Sequence, residues 1–398
     1  MQTAYIIDAL RTPIGKYGGA LSNIRPDDLL ATVIKAIISR NPSVDINAIE
    51  EVIAGAANQS GEDNRNVARM GALLAGLPVT VAGVTVNRLC ASGMQAIMDA
   101  SRAIMCGDGD LYIACGVESM SRAPFVIPKA TTAFERSSQI VDTTMGWRFI
   151  NKKLAALYHP YSMGETAENI AKQWNISRQA QDKFAYESQQ KYANAFATHQ
   201  FYNELIPVQI PMGKEYGNFD KDEHPRLTSL EKLSLLQPVF MENGTVTAGN
   251  SSGINDGAAA MLIASETAVK KYGLQPMAKI TSMAVAGVEP SIMGIGPVPA
   301  TIKALQRASL TIADIDLIEL NEAFASQSLA CIQALGLNKA TVNVNGGAIA
   351  LGHPLGCSGV RIATTLLHEL KKRNGKYGLA TMCVGVGQGV SLVFENVK

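Results

Sequence analysis

Charge of either sign is scarce in this chain, and what there is cancels. Charged residues make up 17% of the 398 positions, and 35 Lys and Arg against 34 Asp and Glu leave a net charge of +1. That balance offers no field to recruit nucleic acid or an anionic membrane surface. Cysteine is sparse too, with thiols at positions 90, 106, 115, 331, 357 and 383 and no CxxC pair among them. The spacing argues against zinc ligation and against a disulfide framework, so no metal is expected and single thiols are free for chemistry in a reducing cytoplasm. No apolar run is long enough to span a bilayer. No basic region or cleavage site precedes the strand-like Ala4-Tyr5-Ile6-Ile7, and Asn396-Val397-Lys398 is not a peroxisomal address. The expectation is a cytoplasmic protein without nucleic-acid or membrane partners. With 47% hydrophobic residues, the chain has the material for a sizeable core in two or more domains.

What is present is an alternation of strand and helix patterns, given twice. Strand-like runs at 4–8, 51–56, 81–87 and 110–116 enclose helix-like runs at 27–39, 65–75 and 91–106. The helix at 91–106 is apolar almost all round, which predicts burial between layers. From Ala278 a second set follows, with strands at 278–285, 315–320, 341–345 and 378–384 and helices at 299–308, 323–335 and 358–373. A strand at 390–394 closes the chain. Residues 122–254 are more polar and less regular, with helices expected at 165–174 and 177–197, the second capped by Ser177. Such alternation predicts an α/β fold. The halves also echo each other. Thr85-Val86-Asn87 leads to Ser92-Gly93, a helix and Cys115; Thr341-Val342-Asn343 leads to Ser358-Gly359, a helix and Cys383. A duplicated unit whose strand ends face one shared site is the natural reading.

Three places in that frame carry chemistry. Cys90 sits where a strand gives way to the buried helix, and free N–H groups at a helix start favour a thiolate nucleophile. A packing cysteine is the bland alternative. His353 stands in a glycine-rich, proline-fixed loop, Gly346 to Gly356, at the duplicate of the Cys90 position, and is a candidate base. His159, His199, His224 and His368 lie in more polar settings, where a surface role suffices for most. Cys383-Val384-Gly385-Val386-Gly387 resembles a dinucleotide loop, but a strand and not a helix follows it, so glycines beside a reachable second thiol are the better reading. Asn321-Glu322-Ala323-Phe324 lies where a strand meets a helix, a usual place for polar site residues.

Asn87-Arg88-Leu89-Cys90-Ala91-Ser92-Gly93, Gly116-Val117-Glu118-Ser119-Met120-Ser121, Asn321-Glu322-Ala323-Phe324, Gly352-His353-Pro354 and Cys383-Val384-Gly385 occur in an order that resembles the signature blocks of the thiolase family. The resemblance implies a five-layer αβαβα thiolase fold made of two duplicated βαβαβαββ halves. The N-terminal half would take residues 1–121 plus 255–276, an inserted loop domain 122–254, and the C-terminal half 277–398. It implies Cys90 as acyl carrier and His353 as its base. Asn321 would hold an oxyanion water, the amides of Cys90 and Gly385 a second oxyanion site, and Cys383 would serve as proton donor or acceptor. Coenzyme A, a substrate and not a cofactor, would lie across Met163, Arg226, Phe240, Ala248, Ser252, Gly253 and Phe324. A homodimer or homotetramer is implied as well.

One departure bears on specificity. Many biosynthetic members carry a histidine before the Met-Gly of the loop domain, where this chain has Ser162 before Met163-Gly164. Gly61 to Met70 and Asp142 to Phe149 look most like the branch that acts on β-ketoadipyl-CoA, which places Arg65 and Arg148 as candidates to meet a carboxylate tail. An acetoacetyl-CoA thiolase is the alternative. A ketoacyl synthase-like condensing enzyme is disfavoured by Cys383-Val384-Gly385. A non-catalytic lipid- or CoA-binding relative is disfavoured by the intact quartet of Cys90, His353, Asn321 and Cys383.

Overall fold

The computed structural model describes residues 2–397; Met1 and Lys398, inside the expected outer bounds, lie outside the described residues. Strands β1 (Ala4–Arg11), β2 (Glu51–Gly55), β3 (Ala82–Val86), β4 (Leu111–Ser119) and β5 (Asn255–Ser265) line up as β1-β5-β4-β2-β3. Strands β6 (Ala278–Gly287), β7 (Leu317–Leu320), β8 (Tyr377–Val384) and β9 (Gln388–Asn396) repeat that order, without a counterpart of β3, as β6-β9-β8-β7. The two sets meet through a short antiparallel ladder, Tyr5 opposite Lys279 and Ile6 opposite Ala278. Within each set the outer strands run parallel, β2 with β3 and β4, and β7 with β8. The crossover helices those connections require supply the neighbouring layers.

Helices α1 (Pro26–Arg40), α2 (Val67–Leu74) and α3 (Ser92–Cys106) come from the first set. The inserted segment supplies α4 (Met163–Gln173) and α5 (Arg178–Ala197), and the second set α6 (Pro297–Ala308), α7 (Ala325–Leu335) and α8 (Leu355–Lys372). Alternate residues of β4 show where each layer lies. Tyr112 and Ala114 face a core shared with Met94, Ile97 and Met98 of α3 and Val360, Leu366 and Leu367 of α8. Leu111, Ile113 and Val117 face the opposite way, onto Leu30, Val33, Ile34 and Ile37 of α1. In the second set Leu379 and Val393 pack outward on Leu305 of α6 and Leu329 and Ile332 of α7. The period of two in the strands therefore separates outer helices from a central pair, α3 and α8, and the result is five layers.

The central pair comes close where glycines stand in its contact face. A Cβ on Gly359 would overlap the Met94 backbone nitrogen, and one on Gly93 would overlap the Gly356 carbonyl. That approach brings together the starts of both helices, and with them the two loops that precede them. The inserted segment is fastened from below by Arg11, which is wholly buried and paired with Glu204 at 2.6 Å and Asp222 at 2.7 Å. Removing Arg11 would strand two buried carboxylates.

Several sequence expectations need correction. The strand expected at 341–345 does not form; only Val342 bridges Ile318. Asn343 turns into the left-handed region at φ 46°, and its side chain takes over the ladder, accepting from Leu320 N at 2.8 Å and donating to Leu320 O at 2.8 Å. The helix expected from 65 starts at Val67, because Arg65 is left-handed at φ 64° and Asn66 caps the helix. The last helix starts earlier than 358, at Leu355. Strand β5 was absent from the pattern reading because it is buried on both faces and alanine-rich, and so shows no alternation.

Candidate functional site

Cys90 lies two residues before the first turn of α3, at Ser92, and so precedes the helix instead of opening it. Leu89, just before it, is held left-handed at φ 47°. That is an unfavourable setting for a bulky residue, made possible by Asn87 Oδ1, which accepts from Leu89 N at 2.8 Å, and by Ser92 Oγ, which donates to Leu89 O at 2.6 Å. Burial pushes the Cys90 thiol up to about 11, although the Gly385 and Cys90 backbone N–H groups face the sulfur and pull the other way. The expected thiolate is therefore not the resting form. For this sulfur to act as a nucleophile, a base would have to take its proton.

The second half supplies a neutral imidazole. His353 is buried, and burial together with the Arg361 cation holds its imidazole down at about 3, so the ring is neutral. Its tautomer follows from a chain of bonds. The Ser358 hydroxyl donates its one proton to Pro354 O at 2.8 Å, so at 2.6 Å it accepts from His353 Nδ1–H. The lone pair is left on Nε2. The main chain is fixed separately, His353 N donating to Asn255 Oδ1 at 3.0 Å. Gly352 is the hinge: its φ of 108° suits glycine, and a Cβ there would overlap the Asn255 amide. Asn321 Nδ2 stands 3.5 Å from both imidazole nitrogens, while its Oδ1 is buried without a protein partner. A buried amide oxygen left unpaired is costly, and the place suits an ordered water.

The second thiol, Cys383, is the last residue but one of β8 and is buried, raised well above its ordinary value first by burial and then by the neighbouring Cys90 sulfur. The next turn, Gly385-Val386-Gly387, contains another strained residue, Val386 at φ 63°. A Cβ on Gly385 would sit 3.3 Å from Leu89 and 3.6 Å from the Met163 sulfur, so the two strained turns touch. Cys90, His353, Asn321, Cys383 and Gly385 thus converge from both halves of the fold.

Of the residues expected to meet coenzyme A, Met163, Phe240 and Phe324 form one apolar cluster with Cys383, and the two rings pack edge to face at 6.2 Å. Ser252 joins them, its N–H donating to Ala323 O at 3.0 Å. Gly253 lies against the His224 ring, which any Cβ on Gly253 would overlap. Arg226 is exposed beside an exposed Ala248, with Nη2 3.4 Å from Ala248 O, and so is available to a phosphate. Ser162 caps α4 in a reciprocal box with Glu165, which explains a serine at that place on structural grounds alone. Arg65 and Arg148 are both exposed and have no ion pair among the described residues. Asn58, three residues before the first of their two blocks, donates from its amide to Thr143 Oγ1 of the second at 2.9 Å. Arg148 follows Trp147, whose ring N–H donates to Tyr161 O at 3.0 Å, two positions before Met163.

Sequence reasoning missed the buried groups that hold this site. Glu118 accepts from the Ala57, Asn58 and Gly356 amides at 2.9, 3.0 and 2.7 Å, tying the loops on either side of Cys90 and His353. Glu322 does the same for the 343–349 loop through Asn343, Ser188 and Ile349. A carboxylate inside an otherwise apolar or glycine-rich block was the available signal. Two histidines assigned to the surface are not there: His368 is buried on Ala9 O at 2.9 Å, and His224 Nε2 is buried without a partner, with burial and Arg226 holding that ring at about 4. Among the described residues no group of His, Cys, Asp and Glu could hold a metal ion, and no helix is long and apolar enough to cross a membrane.

A duplicated α/β fold that joins two thiols, a neutral imidazole and an unpaired amide oxygen beside an apolar slot defines an acyltransferase site. Residues 4–267 match the thiolase N-terminal domain and residues 274–396 the thiolase C-terminal domain, and the chain belongs to the thiolase family. It is 57% identical to a β-ketoadipyl-CoA thiolase of Acinetobacter baylyi and 55% identical to one of Escherichia coli, with 100% of both chains covered in each case. Among solved structures it resembles the acetyl-CoA acetyltransferase of Bacillus anthracis, with a TM-score of 0.94 at 42% identity over 100% of this chain and 99% of that one. It also resembles human mitochondrial 3-ketoacyl-CoA thiolase in complex with CoA, with a TM-score of 0.93 at 41% identity over 100% of this chain and 98% of that one.

Proposed function

We propose that the chain cleaves a 3-ketoacyl-CoA with coenzyme A, with β-ketoadipyl-CoA as its substrate, and runs the reverse condensation on the same residues. The observation that carries the reading is the convergence of Cys90 and Cys383 with the His353 lone pair. In the first half-reaction His353 Nε2 takes the Cys90 proton as the sulfur bonds to the keto carbon. The bond from that carbon to the substrate's α-carbon then breaks, and its electron pair leaves as the acetyl-CoA enolate. Cys383 protonates the enolate. In the second half-reaction the CoA thiol gives its proton to the Cys383 thiolate and attacks the acyl-Cys90 thioester; the bond from the acyl carbon to Cys90 breaks, the shortened acyl-CoA leaves, and the Cys90 thiolate takes its proton back from His353.

Two oxyanions need support. The Cys90 and Gly385 amides serve one, and a water on Asn321 Oδ1 together with protonated His353 serves the other. Met163, Phe240, Ala248, Ser252, Gly253 and Phe324 line the coenzyme's path, with Arg226 toward a phosphate. No further cofactor enters this scheme, and a homo-oligomer in the cytoplasm is the expected setting. The names of the relatives and the two unpaired arginines, Arg65 and Arg148, support a substrate tail that ends in a carboxylate.

The scheme separates the thiols. Acetyl-CoA alone is expected to leave an acetyl group on Cys90, found by mass spectrometry of a peptic digest. Cys383→Ala keeps that label while turnover collapses, and β-ketoadipyl-CoA gives a higher kcat/KM than uncharged 3-ketoacyl-CoAs. Label on Cys106 or Cys115 would overturn the mechanism; equal rates across the panel would overturn only the substrate.

A further inference from the structure

The two turns that supply the oxyanion amides come from opposite halves of the chain, and each contains a bulky residue in a left-handed conformation, Leu89 before Cys90 and Val386 after Gly385. Such strain persists only where surrounding contacts over-determine the backbone. One side chain spans the gap. Arg88 Nε donates to Gln95 Oε1 at 2.8 Å and Arg88 Nη1 donates to Gln388 Oε1 at 2.8 Å. Gln95, on the first turns of α3, is itself anchored, its Nε2 donating to Asp99 Oδ1 at 2.7 Å. Gln388 is the first residue of β9, paired across the turn with Val384 and across the sheet with Gly287. The guanidinium is thus held between a residue of the nucleophile's own helix and the strand that closes the Gly385 turn.

We infer that Arg88 is a positioning residue: bridging Gln95 and Gln388, it sets the separation of the Cys90 and Gly385 amides and so the strength of the oxyanion site. The inference rests on the mechanism proposed above. Charge-assisted bonds to two amide oxygens fix the fork in direction as well as distance, which lysine, a single point donor, cannot reproduce. The guanidinium bonds to Gln95 and Gln388, and it acts through the two backbones it joins.

The test compares two reactions of the same thiol in the full-length wild type, Arg88→Met and Gln388→Met. Acetyl transfer from acetyl-CoA to Cys90 needs the two amides to hold a tetrahedral oxyanion, whereas alkylation of Cys90 by iodoacetamide feels them only through the thiolate they favour. Both variants are expected to acetylate about tenfold to a hundredfold more slowly, with KM for acetyl-CoA little changed. Alkylation slows by a much smaller factor than acetylation, the melting temperature stays near that of the wild type, and the double variant is no slower than Arg88→Met alone. Acetylation at the wild-type rate in either variant would overturn the inference, as would a parallel fall in alkylation, which would mean that Arg88 only supports the fold. A wild type that fails to acetylate Cys90 would instead overturn the mechanism on which the inference rests.

Discussion

At the scale of single residues, the resting site is a neutral one. The Cys90 thiol is raised to about 11 and the His353 imidazole lowered to about 3, both chiefly by burial, so a preformed thiolate–imidazolium pair is not the ground state. The imidazole also leaves a mark on stability. Unfolded, the ring titrates near its ordinary 6.5; folded, it stays neutral down to about 3. The unfolded chain therefore binds the extra proton between those values, and stability contributed by the buried neutral ring is lost as pH falls through this window. Chemical denaturation of the wild type and of His353→Gln should show their stability difference shifting against the wild type by about 2 kcal/mol between about pH 7 and pH 5. A difference independent of pH would mean that His353 titrates as an exposed histidine. Cys90, His353, Asn321 and Cys383 were legible in the sequence because each sits at a strand end or in a glycine-rich loop. Glu118, Ser358 and Asn255 were not, since what they do depends on backbone amides and a tautomer that only the folded chain brings within reach.

At the scale of elements, the central helices α3 and α8 decide whether the two loops meet. Gly359 lies inside α8, where helix propensity alone would favour alanine by about 1 kcal/mol. Steric contact decides the matter the other way. The added Cβ would overlap the Met94 backbone, which cannot swing aside as a side chain could, so the helices must move apart. Overpacking of this kind costs about 1–3 kcal/mol, and here it also widens the distance between the Cys90 and His353 loops. Gly359→Ala is therefore expected to melt several degrees lower and to lose a larger share of kcat than of stability. Differential scanning calorimetry alongside a thiolysis assay measures both, and an unchanged melting temperature with full activity would show that the layer spreads freely. The apolar periphery of α3 announced this burial in the sequence. The partner it packs against could not be read there, because the contact is made by glycines in helices far apart along the chain.

At the scale of the whole molecule, the echo between Thr85-Val86-Asn87 and Thr341-Val342-Asn343 gave away the duplication, and the second unit folds to the strand order of the first without a counterpart of β3. The echo overstated one strand, since Asn343 spends its side chain on Leu320 where a ladder was expected. It also could not show that the halves share a core. That sharing has a consequence for folding. The ladder between the two sets is two residue pairs long, far too short to hold them. What joins them is one apolar cluster that takes Met94, Ile97 and Met98 from α3, Met261 and Ile263 from β5, Val360, Leu366 and Leu367 from α8, and Leu392 and Phe394 from β9. Every one of those side chains is at most 2% exposed, so removing the second half would open the inner face of the first to water. At roughly 1.5–3 kcal/mol for each large apolar side chain exposed, the five of the first half alone amount to about 7–15 kcal/mol, as much as the whole stability of an ordinary domain, about 5–15 kcal/mol. Residues 1–276 expressed alone should accordingly bind hydrophobic dye and show no sharp thermal transition, and supplying residues 277–398 in the same cell should restore both solubility and a cooperative melt. A sharp, dye-free transition in the isolated first half would show that each duplicate is a self-sufficient domain and that the central layer merely docks two finished units.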